Sequence, residues 1–200
     1  MKHQTLLFLL LANLFLCSNA QINVGTYFNS AWNKSFNIQA SELQNGSEDF
    51  NLFIGIKGEL ENQEDNIIIK STNIPEFSLF LRQVRDKFIE WKKVAQDNNV
   101  RDMNKEMDFS SPRVDIGWSY KEWHFAIGET LKPTFFVFKD GKCSVSMSKK
   151  VTSSSNKYIT EEVFFVFTNP DEITELIKAI RKENILPKLK SNSDKLDLFH

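Results

Sequence analysis

Apolar and polar positions recur along this chain with two distinct periods. Phe36-Asn37-Ile38-Gln39-Ala40 alternates with a period of two, the pattern of a half-buried strand. Leu52-Phe53-Ile54-Gly55-Ile56 is a more continuous apolar run and reads as a buried strand. Ile67-Ile68-Ile69 is a short β-branched strand, and Val24 to Phe28 supplies a first one. Glu59 to Asn66, acidic and polar, reads as a loop. The period then changes. Phe77, Phe80, Leu81, Val84, Phe88, Trp91 and Ala95 fall on one stripe of a helix, with Arg82, Arg85, Asp86, Lys92, Lys93 and Gln96 opposite. A long helix is predicted over about 75–97. Pro75 suits its first turn, Asn73 and Glu76 have the spacing of a capping box, and Asn98-Asn99 stops it. Its aromatic stripe reads as core rather than as a ligand groove.

Beyond Val100 the pattern weakens, and 101–112 reads as irregular. Arg113–Tyr120 and Glu122–Ile127 look like strands joined tightly. Thr134–Lys139 and Lys142–Met147 flank Asp140-Gly141, a hairpin signal in which both turn residues take positive φ. Val151–Lys157 reads as a loop and Glu162–Thr168 as one strand. Asn169 is a good N-cap, Pro170 suits the first helical position, and Asp171 and Glu172 favour the positive end of the dipole. A shorter helix is therefore predicted over about 170–183, with Ile173, Leu176, Ile177 and Ile180 inward and Pro187 closing it. Residues 188–200 read as a flexible C-terminal tail. Strands and helices are segregated, which predicts an α+β fold: a largely antiparallel sheet packed by the two helices, forming a single domain over 21–187.

Composition narrows this little. The 200 residues carry 25 Lys+Arg against 26 Asp+Glu, a formal charge of −1. That balance lacks the long-range attraction of a nucleic-acid binder, and Lys149-Lys150 and Lys188-Lys190 are short basic runs without interleaved aromatics. The first twenty residues read as a secretory signal peptide. Lys2 and His3 precede the apolar run Leu6–Leu16, and Ser18-Asn19-Ala20 places small residues before a cleavage between Ala20 and Gln21. Eleven residues make about 16 Å of helix, short of a ~30 Å bilayer core, and no later stretch would span a membrane. An acyl anchor at Cys17 is disfavoured because Leu16 stands where a small residue is needed. The expected location is exported, periplasmic or extracellular. Asn33-Lys34-Ser35 and Asn45-Gly46-Ser47 match the glycosylation acceptor pattern. Downstream of the leader only Cys143 remains, so no internal disulfide can form and stability must come from apolar packing. Cys143 itself reads as a buried small side chain.

Chemical motifs are scarce. There is no CxxC, HExxH, Walker loop, GxGxxG or GxSxG, so neither cofactor nor metal is implied and no catalytic residue is assigned. Glu59, Glu61, Glu64 and Asp65 read as a solvated acidic loop rather than a calcium site. A Cys143–His124 pair oriented by Glu122 or Asp140 has no support in spacing. One cluster carries more weight: Trp118, Tyr120, Trp123 and His124 within Gly117–Phe125. With a turn at Tyr120-Lys121, Trp118 and Trp123 become cross-strand partners that stabilise a hairpin. Alternatively the group forms an exposed aromatic platform for a glycan or a protein, to which His124 adds an imidazole. The sequence thus reads as an exported, non-enzymatic binding or interaction domain. A secreted hydrolase with a carboxylate or Cys–His site, or an apolar-ligand carrier, are the alternatives.

Overall fold

The computed structural model describes residues 21–43, 47–60 and 63–197. The expected signal peptide with Cys17 and Ala20, the acceptor pattern at Asn45, and Glu61 lie outside them. The described residues form the expected α+β fold, with every strand pair antiparallel.

Six strands make the main sheet: β1 (Ile22–Asn29), β2 (Lys34–Ala40), β3 (Asn51–Lys57), β4 (Glu64–Lys70), β6 (Val114–Tyr120) and β7 (Glu122–Glu129), adjacent in that order. A second sheet has the order β12 (Val166–Phe167), β9 (Cys143–Ser146), β8 (Thr134–Val137) and β5 (Met103–Glu106). The hairpin β10 (Lys149–Thr152) with β11 (Thr160–Val163) stands beside them. Helix α1 (Ile74–Asp97) follows β4 and packs on β8 and β9 and on α2 (Pro170–Ala179). Its stripe is buried as the spacing requires except at the half-buried Trp91, and Phe88 and Trp91 meet Phe135 edge-on at 6.0 and 5.7 Å between centroids. One contiguous apolar core joins both sheets and the helices. Phe36, Phe77, Phe88, Phe135, Phe165 and Phe167 are fully buried within it.

Several boundaries differ from the sequence reading. The first helix begins through a 3₁₀ turn at Ser71–Asn73, so Asn73 is itself in a helical conformation and its side chain caps nothing. Asn169 does cap α2, accepting from the Asp171 N–H at 3.1 Å. The chain breaks at Ile180 and resumes as α3 (Lys182–Asp197), which carries Pro187 inside it. Pro187 therefore does not close a helix, and residues 188–197 are helical rather than a tail. Leu189 is buried, and Lys190 pairs with Glu48 at 2.6 Å.

The Asp140-Gly141 hairpin forms, but only Gly141 has positive φ. Phe138 to Gly141 makes a turn closed by the Gly141 N–H to Phe138 O bond at 2.9 Å, and the Phe138 N–H then reaches Lys142 O. This is a type I-like turn followed by a left-handed glycine, which also matches strand twist. The expected strand 162–168 is two strands, and the segment between them bridges to the end of β3 through Lys57 and Phe164.

Candidate functional site

The β6–β7 hairpin turns on Lys121 alone, at φ 61°. Tyr120 therefore faces Glu122, Ser119 faces Trp123, and Trp118 faces His124 rather than Trp123. Because side chains alternate across a strand, this register splits the aromatic cluster. Trp118 and His124 point inward and are buried, with rings 5.8 Å apart. Trp123 points outward, 50% exposed, and stacks on Phe125 at 6.2 Å and 17°. The Tyr120 side chain lies outside the described part of the structure. A single platform of Trp118, Trp123 and His124 is thus excluded.

The inward pair belongs to a polar end of the main sheet's buried face. Asn66 pairs with Gly117 and Ile56 with Asp65, so the next position sets Asp65 beside Trp118 on the neighbouring strand. Asp65 is 0% exposed, which corrects the reading of a solvated acidic loop. Gly58 lies against its Oδ2, leaving no room for a Cβ. Gln63 Nε2 donates both to Asp65 Oδ1 at 2.8 Å and to Glu161 Oε2 at 3.1 Å, so one amide ties β4 to β11. Glu161 Oε1 accepts from the backbone N–H of Glu59 at 2.8 Å and of Glu162 at 3.2 Å. Lys57 Nζ donates to Gly58 O at 2.7 Å and to Leu60 O, fastening the β3–β4 connection.

Burial pushes the Asp65 carboxyl up to about 7. The Gln63 hydrogen bond opposes that rise, the Glu161 charge adds to it, and Lys57 lowers it. Three buried atoms of this cluster have no hydrogen-bond partner: Asp65 Oδ2, Gln63 Oε1 and Trp118 Nε1. Buried polar atoms are rarely left unpaired, because each costs about 1–3 kcal/mol.

A surface hollow of about 300 Å³ opens against this cluster, lined by Glu59, Leu60, Trp118, Tyr158, Ile159, Thr160 and Glu161. Trp118, itself without exposed surface, lies beneath it, and Tyr158, 84% exposed, stands at its rim. The lining brings together the carboxylate residues Glu59 and Glu161, the hydroxyl residue Thr160 and the exposed ring of Tyr158. Asp65, Gln63, Glu161 and Tyr158 escaped the sequence reading. The available signal was parity: Asp65 continues the inward positions of Ile67 and Ile69, and Glu161 those of Val163, Phe165 and Phe167.

Elsewhere, Cys143 is a buried free thiol on β9, pushed up by burial. It lies in the second sheet and His124 in the first, so the fold does not set them on neighbouring strands. Among the described residues no group of three or more His, Cys, Asp and Glu side chains is arranged to hold a metal ion, and no helix is long and apolar enough to cross a membrane. Comparison with protein-family models, with curated proteins and with solved structures finds no match for the chain.

Proposed function

We propose that this chain is an exported, non-enzymatic binding domain whose ligand sits in the hollow above Trp118. Export rests on the leader-like pattern of residues 1–20. The observation that carries the binding reading is the hollow itself, open to solvent, with the exposed Tyr158 ring, Glu59 and Thr160 around it and Trp118 beneath.

Hydrolysis draws on the amide shared by Asp65 and Glu161, since two close carboxylates with unlike environments are what an acid–base pair needs. Accessibility speaks against it. Asp65 has no exposed surface and is not part of the hollow's lining, and both Glu161 oxygens accept hydrogen bonds from the protein. A carboxylate must reach the bond it protonates.

Thermal unfolding in the presence of monosaccharides, primary amines, carboxylic acids and simple amides tests the reading. A compound that binds only the native state raises Tm with concentration. At least one class should do so, and its effect should shrink in Trp118→Phe, which reshapes the ground beneath the hollow, and in Tyr158→Ala, which alters only an exposed rim. No rise with any class, or an equal rise in both variants, overturns the proposal.

A further inference from the structure

We propose that Asn33 carries an N-linked glycan once the chain is exported through a eukaryotic secretory pathway. This rests on the export reading of residues 1–20 and is independent of the hollow above Trp118.

The acceptor pattern Asn-x-Ser/Thr occurs at Asn33-Lys34-Ser35 and at Asn45-Gly46-Ser47. Asn45 lies outside the described residues, so the structure speaks for the first alone. Such a site needs an asparagine at the surface with its amide free, a residue other than proline after it, and a hydroxyl two positions on.

The β1–β2 connection meets each condition. It is a turn over Ser30–Asn33, closed by the Asn33 N–H to Ser30 O bond at 3.3 Å. What fastens this turn to the rest of the protein lies before Asn33. The buried Asn29 donates from Nδ2 to Val166 O at 2.7 Å and accepts from the Ala31 N–H at 3.0 Å. The Ser30 N–H donates to Glu172 Oε1 at 2.9 Å, and the Trp32 ring meets Phe164 edge-on at 6.1 Å. Asn33, Lys34 and Ser35 are all exposed. Lys34 pairs with Glu64 at 3.2 Å, whereas neither the Asn33 amide nor the Ser35 hydroxyl has a hydrogen-bond partner among the described residues. A bulky polar group on Asn33 Nδ2 therefore stands in solvent and displaces no contact of the fold. The left-handed φ of 48° accounts for an asparagine at this position. It makes no demand on Ser35, which lies on the solvent side of β2.

The attachment is a substitution at C1 of an N-acetylglucosamine, supplied as an oligosaccharide on a lipid pyrophosphate. The Asn33 Nδ2–C1 bond forms and the C1–O bond to pyrophosphate breaks. The bonding pair leaves with the lipid pyrophosphate, whose new negative charge balances the proton lost from Nδ2.

Expression of the full chain with its own leader in a eukaryotic secretory host tests this. Protein from the medium should run above its sequence mass and fall back after peptide-N-glycosidase treatment. Peptide mass spectra should then show Asn33→Asp, and only after that treatment. Ser35→Ala should abolish the modification of Asn33 while Ser35→Thr keeps it, both with Tm unchanged because the side chain is exposed. Asn33→Gln is the poorer control, since it also alters a left-handed position. Secreted protein bare at Asn33, a glycan at Asn45 alone, or modification of Asn33 that survives Ser35→Ala overturns the proposal. A chain that stays in the cytosol with its first twenty residues attached overturns the export reading itself.

Discussion

Asp65 concentrates the chemistry of this protein in one side chain. Its carboxyl titrates near 7 in the fold and near 3.8 when unfolded, so between those values the native state holds a proton that the unfolded state has lost. Stability from this group is therefore intact below about pH 4, falls as the pH rises towards 7, and is lowest above it. A shift of that size corresponds to roughly 4 kcal/mol. Asp65→Asn removes the titration. Urea unfolding should find the variant close to the native protein at pH 4 and more stable by a few kcal/mol at pH 8; the same difference at both pH values would contradict the assignment. Gly58→Ala pushes a methyl group into the Asp65 carboxylate and should cost about 1–3 kcal/mol. The cost should fall in an Asp65→Ala background, because the two sites share one contact. Composition hid these residues. Acids at 59, 61, 64 and 65 look like a charged loop until the strand is extended back to Glu64, when Asp65 falls on the inward parity of Ile67 and Ile69.

At the scale of elements, local chemistry was legible and long-range pairing was not. The long helix, the cap at Asn169 and the Asp140-Gly141 hairpin each follow from residues within a few positions of one another. β5 has no apolar alternation, one half-buried Met103 followed by three exposed polar residues, and it exists because β8 supplies its hydrogen bonds. The same limit explains α3. Pro187 reads as a terminator, yet residues 188–197 stay helical, with Ile185 and Leu189 seated in the core and Lys188 donating to Val24 O. Leu189→Ala should therefore cost about 2–4 kcal/mol in chemical denaturation. A flexible tail would make that substitution neutral.

Across the whole molecule, the α+β arrangement followed from the segregation of strands and helices, while its division into two sheets depended on pairings tens of residues apart, such as Ile67 with Ile116 and Met103 with Val137. A single apolar core spans both sheets, and Cys143 is a free thiol, so unfolding should be one transition by far-ultraviolet dichroism and by tryptophan fluorescence, unchanged by reductant or EDTA. Separate transitions would mean that the sheets stand independently. Function is proposed beside the buried polar cluster around Asp65, and the four tryptophans report on it from different surroundings: Trp118 beneath the hollow, Trp123 exposed on the opposite face of the sheet, and Trp32 and Trp91 elsewhere. The most direct measurement is the ¹H–¹⁵N spectrum of the indole groups during titration with the compound class that raises Tm, with Trp118 assigned through Trp118→Phe. The account predicts a saturable shift of the Trp118 indole resonance while that of Trp123 stays in place. Movement of Trp123 with Trp118 unchanged would contradict it and return the binding surface to the outer face of the hairpin.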